Sequence, residues 1–156
     1  MKVYHASTVI VAHPDTVPSR KFLDFGSGFY VTDIKEQAIN YGQRFIRRNH
    51  EAWINIYEMK EDFTNLKVIT FDAYDEQWLD FITECRTGEM HGEWDIVRGG
   101  IANDKVFRTL DLFFSGDIGK HDALRRLKYE KPNHQICFRS EEALKQCLTF
   151  INACRL

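Results

Sequence analysis

The chain has few cysteines and no arrangement of them. Cys85, Cys137, Cys147 and Cys154 form no C-x-x-C pair and stand at no ligand spacing to a histidine. No zinc-site pattern remains, and no metal is expected. Charge of one sign is also lacking: the formal net charge is −2, so no strong overall field draws nucleic acid or an anionic membrane. No window approaches the ~18 apolar residues that a membrane span needs. The opening M-K-V-Y-H-A-S-T-V-I-V-A turns polar too soon for a signal peptide. Low-complexity segments and internal repeats are missing as well. These absences lead us to expect a reduced, cytoplasmic protein with no membrane partner.

What is present is an ordinary globular balance, 44% hydrophobic and 28% charged over 156 residues, enough for one domain spanning 1–156. Twelve phenylalanines are generous for that length, and large rings serve both a small core and a cleft for planar ligands. Two basic clusters, Arg44, Arg47, Arg48 and Lys120, Arg125, Arg126, Lys128, read as solvated helix faces.

Periodicity predicts strands at Val3–His5, Phe29–Thr32, Trp53–Met59, Leu66–Phe71, Trp94–Val97, His134–Phe138 and Thr149–Ala153. It predicts helices after Thr32 or Asp33 (apolar at Ala38, Tyr41 and Phe45), over Asp75–Arg86, Lys105–Phe114 and His121–Lys128, and after Ser140. Strands dominate both ends without strict alternation, which argues α+β.

Three short segments carry the chemistry. Tyr4-His5-Ala6-Ser7 places a histidine at a strand edge. Asp24 to Tyr41, D-F-G-S-G-F-Y-V-T-D-I-K-E-Q-A-I-N-Y, runs from a glycine turn through a strand into a helix. Asn133-His134-Gln135-Ile136-Cys137-Phe138 opens a late strand that Ser140-Glu141-Glu142-Ala143-Leu144 follows. In order and spacing this set resembles the His–Tyr–Glu branch of the ADP-ribosyltransferase superfamily, the diphtheria-toxin and poly-ADP-ribose-polymerase-like side. It is more similar still to a small bacterial ADP-ribosyltransferase-like family of unknown function, with Y-H-x-S, D-F-G-x-G-F-Y-x-T, W/Y-D-I-V-x-G and a late Q-x-x-F.

The resemblance implies an α+β domain of two split antiparallel sheets flanked by helices, with NAD bound between them as substrate. It implies mono-ADP-ribosyl transfer to a macromolecular acceptor, protein or nucleic acid, and a setting as the toxin of a toxin–antitoxin pair with a neutralising partner protein. The implied catalytic residues are His5, Tyr30 and Gln135, and the implied NAD-binding set is His5, Ala6, Ser7, Gly28, Tyr30, Thr32 and Tyr41. His5 is suited to a ribose hydroxyl, the Ala6 backbone to the nicotinamide amide, and Tyr30 and Tyr41 to the nicotinamide ring. Gly26 and Gly28 let backbone approach a flat ligand. Gln135 stands where chain-elongating relatives carry Glu, so it can orient a hydroxyl but offers neither negative charge nor a general base.

Taken singly, each residue has a plainer reading: His5 as an edge histidine, the glycines as a turn, Gln135 as nothing in particular. Cys137 reads as buried, Trp53, Trp78 and Trp94 as core, His91 and His121 as exposed, and Asp104 as either a cleft residue or a helix cap. A weak NAD- or ADP-ribose-binding module without transfer is the alternative function. An RNA 2′-phosphotransferase and a purely interacting protein complete the set of readings.

Overall fold

The computed structural model describes residues 1–17, 24–88 and 92–156. His91 therefore lies outside the described residues. In chain order the elements are β1 (Lys2–Ser7), β2 (Phe29–Val31), α1 (Lys35–Arg47), β3 (Trp53–Met59), β4 (Val68–Thr70), α2 (Glu76–Thr87), β5 (Ile96–Gly99), α3 (Asp104–Phe114), α4 (Lys120–Leu127), β6 (Gln135–Phe138), α5 (Glu141–Cys147) and β7 (Leu148–Arg155). The described residues thus hold two sheets and five helices, an α+β arrangement. One sheet is antiparallel in the order β1-β3-β7; the other runs β2-β6-β5-β4.

The expectation of purely antiparallel sheets is corrected at one pair, because β4 and β5 run parallel. The cause is topological. Helix α2 connects them and carries the chain back to begin β5 in the same direction. Two cap assignments also change. Neither Thr32 nor Asp33 is the N-cap of α1, which is Ile34 without a side-chain bond; Asn103, not Asp104, caps α3, accepting from the Val106 N–H at 3.0 Å. Asp75 and Ser140 do cap their helices, and Gly88 ends α2 at φ 76°.

Side-chain alternation sorts the strands into layers. Val3, Tyr57 and Met59 of the first sheet meet Phe29, Val31, Ile96, Ile136 and Phe138 of the second in one core between the sheets, closed by Ala143 and Leu144 of α5. The reverse face of the second sheet, with Val97 and Cys137, is covered by α2, α3 and α4 around Trp78, Leu79, Ile82, Val106, Leu110 and Leu127. Helix α1 covers the outer face of the first sheet through Ala38, against Ala6 and Ile54. Trp78 is fully buried, as core. Arg44, Arg47, Arg48, Arg125, Arg126 and Lys128 are exposed, as is His121. No described helix is long and apolar enough to cross a membrane.

The second sheet's edge is set by a glycine. A Cβ on Gly28 would sit 2.5 Å from the Phe138 carbonyl oxygen and 2.6 Å from the Cys137 Sγ, so β2 approaches β6 only because that side chain is missing. A backbone carbonyl inside a ladder cannot step aside. Gly28→Ala is therefore expected to lower stability by about 3 kcal/mol, measured by urea unfolding; a loss within experimental error would mean that β2 shifts freely.

Candidate functional site

Among the described residues, one isolated antiparallel rung joins the two sheets. The Tyr4 N–H donates to the Thr32 carbonyl at 2.8 Å, and the Thr32 N–H donates to the Tyr4 carbonyl at 3.0 Å. The two-residue repeat turns the Ala6 backbone the same way as that of Tyr4, towards β2 and away from β3. No second rung forms there. Instead the His5 ring occupies the opening, its Nδ1–H donating to the Tyr30 carbonyl at 2.7 Å. Among the described residues no partner is found for the Ala6 N–H and C=O on that side. A strand edge with a free donor and a free acceptor, beside an imidazole, is what the split between β1 and β2 produces.

A carbonyl can only accept, so His5 carries its proton on Nδ1 and leaves Nε2 as an acceptor while neutral. Burial against Phe29, whose ring centroid is 4.4 Å away, lowers the His5 pKa below its ordinary 6.5, and the bond to Tyr30 only partly offsets this. On β3, directly across from His5, stands the fully buried Asn55. Its Oδ1 accepts from the Val11 N–H at 2.8 Å, and its Nδ2 donates to the carbonyls of Val9 (3.2 Å) and His5 (3.4 Å). Asn55 thus fixes the turn that follows His5. Alternation in W-I-N-I-Y does not mark it as inward, since Ile54 and Ile56 flank it.

Tyr30 lies on the other face of β2. Its ring stacks on Phe25 (6.5 Å between centroids, 11° apart); its hydroxyl accepts from the Phe25 N–H at 3.2 Å and donates to the Gly26 carbonyl. Burial, reinforced by the Cys137 thiol, pushes this phenol well above its usual range, so it stays protonated near neutrality. Cys137 faces it across the ladder and is pushed up to about 12 by burial, which removes it as a nucleophile. Asp24 locks the glycine turn, accepting from Arg86 and, at 2.9 Å, from the Ala102 N–H. Gly26, at φ 76°, makes the turn possible. The glycines expected to admit a ligand are thus occupied with protein packing.

Gln135 begins β6, two residues from Cys137 and hence on the Tyr30 face of the sheet. It lines a cleft of about 200 Å³ together with Asp33, Thr70, Asp72, Arg98, Gly99, Asn133 and His134. Its Oε1 is buried with no hydrogen-bond partner among the described residues. A larger hollow of about 330 Å³, between the start of α2 and α4, touches none of the candidate residues. Thr32 is buried and its hydroxyl accepts from the Ile34 N–H at 3.1 Å. The Ser7 hydroxyl accepts from the Val9 N–H at 3.4 Å. Both have local structural partners. Tyr41, 50% exposed, makes its ring contacts along α1, with Phe45 and the Arg44 guanidinium. The structure therefore joins His5 to the Tyr30 backbone, puts Tyr30 and Gln135 on one face, and leaves Tyr41 apart.

Residues 1–150 match the model of a family described as "Protein of unknown function (DUF3990)". The chain belongs to that family. No curated protein and no solved structure gives a significant match. Among the described residues of this DUF3990 domain, no cluster of three or more His, Cys, Asp or Glu is placed to hold a metal ion.

The His5 geometry sets a pH dependence. The fold keeps the ring neutral while the unfolded chain protonates it near pH 6.5, so unfolding is favoured as pH falls below that value. Melting temperatures recorded between about pH 5 and 8 are expected to fall towards the acid end. His5→Asn, which keeps a donor for the Tyr30 carbonyl without titrating, is expected to flatten that slope. An unchanged slope would show that the imidazole is not held neutral.

Proposed function

We propose that the protein transfers a single ADP-ribosyl unit from NAD to a macromolecular acceptor, releasing nicotinamide, and acts as the toxin of a toxin–antitoxin pair. The observation that carries this reading is the unfilled strand edge at Ala6. An unpaired backbone N–H and C=O on one residue offer the two complementary contacts that a primary carboxamide needs, and nicotinamide is a flat carboxamide. The neighbouring His5 Nε2 is an acceptor for a ribose hydroxyl. The buried, unsatisfied Gln135 oxygen is an acceptor of the same kind on the Tyr30 side of β2.

Cleaving the bond from nicotinamide to ribose leaves positive charge on the sugar, so the strongest help is a nearby negative charge. Gln135 supplies none. It orients a hydroxyl and no more, which favours one-unit transfer over chain growth. The same neutrality supports the second reading, a module that holds NAD or ADP-ribose without cleaving it. A cleft of about 200 Å³ is below the usual range for a whole drug-sized ligand, which suits the nicotinamide ribose beside Gln135, with the nicotinamide itself at the Ala6 edge.

Incubation with radiolabelled NAD separates the readings. Label on a macromolecule together with free nicotinamide supports transfer. Thermal stabilisation by NAD without nicotinamide release supports the binding module, and neither effect removes NAD from the site. Gln135→Glu is expected to raise nicotinamide release by up to roughly a hundredfold, since it places a carboxylate near the developing charge. A decrease would assign the amide a donor role of its own.

A further inference from the structure

Gln135 cannot accept a proton, but the residue before it can. His134 and Asp33 line the same cleft as Gln135, and the His134 Nδ1 lies 3.1 Å from the Asp33 Oδ1. A carboxylate only accepts, so Nδ1 carries the hydrogen, and in the neutral ring Nε2 presents its lone pair. The pair is held from behind. Gln37 of α1 donates its Nε2–H to the His134 carbonyl at 2.9 Å, and its Oε1 accepts from the His134 N–H at 3.3 Å. Asp33 follows Thr32, whose backbone makes the isolated rung between the sheets, and is released from capping α1. His134 remains 60% exposed, so a bulky acceptor can reach it.

We propose that His134, oriented by Asp33, is the general base that makes a hydroxyl group the acceptor at this site. The proposal rests on the transferase reading above. The acceptor O–H gives its proton to Nε2 while an oxygen lone pair forms the bond to the anomeric carbon of the nicotinamide ribose. The bond from that carbon to the pyridinium nitrogen breaks, and its electron pair returns to the ring, releasing neutral nicotinamide. The imidazolium, paired with Asp33, then passes its proton to water. The charged residues that line the cleft beside the pair are Asp72 and Arg98. A carboxylate acceptor needs no base, so a built histidine–carboxylate pair argues for hydroxyls, whether of a protein side chain or a ribose.

Methanol is the smallest hydroxyl probe. With NAD and methanol the wild-type protein is expected to form methyl ADP-ribose and nicotinamide in equal amounts. His134→Asn should lower that rate on the order of a hundredfold, while NAD still raises the melting temperature as in wild type. Added imidazole should restore part of the rate to His134→Ala. If His134→Asn keeps the wild-type rate, the base assignment falls and the pair is an ordinary surface contact. If the wild-type protein binds NAD yet releases no nicotinamide, the transferase reading itself falls, and the base with it.

Discussion

Among the described residues one backbone rung links two sheets whose inner faces share a core, and the absence of the next rung shapes the candidate site. Tyr4 and Thr32 exchange both backbone bonds; two residues further along β1, where Ala6 and Tyr30 would repeat them, an imidazole takes the Tyr30 carbonyl instead. A buried carbonyl must be satisfied, and a ring nitrogen does that at a greater strand separation than a second backbone would. His5 thus keeps the strands apart while satisfying the Tyr30 carbonyl. The cost falls on Ala6, whose donor and acceptor face the gap. Asn55 enforces the arrangement from behind by tying down the turn that leaves His5.

The groups around this opening are almost all neutral. His5 is held uncharged by burial, the Tyr30 phenol and Cys137 thiol are pushed far from ionising, and Gln135 carries no charge at any pH. Fixed charge is close by, since Asp33, Asp72 and Arg98 line the same cleft as Gln135. None of the neutral groups offers negative charge to a cation by direct contact.

Much of the fold was legible because the chain states its strands plainly. Trp53–Met59 falls where alternation places it, and α2 lies between a capping aspartate and a terminating glycine. The parallel β4–β5 pair was not legible, since strand direction is set by the path of the connection and leaves no mark on a three-residue strand. Of the site, His5, Tyr30 and Gln135 were visible as residues, but their partners were not. The bond from His5 to Tyr30 ends on a backbone carbonyl, and Asp33–His134 joins residues that are 101 positions apart. Neither leaves a local pattern. Asn55 was not legible either, because Ile54 and Ile56 beside it leave the inward face of the strand undecided by alternation.

The glycine-rich stretch shows how far a motif can be trusted. Gly28 is excluded from bearing a side chain by Phe138 and Cys137, Gly26 adopts a left-handed turn, and the Tyr30 hydroxyl closes back on that turn. Each feature of F-G-S-G-F-Y is therefore required to dock β2 on β6 whether or not anything binds. Such a signature can persist in an inactive descendant, because losing it would cost the fold. The Ala6 edge, the free Nε2 of His5 and the unsatisfied Gln135 oxygen are different in kind. None of them has a protein partner among the described residues, and an orphaned buried acceptor works against stability. Groups that a fold tolerates at a loss are the ones on which a functional reading should rest.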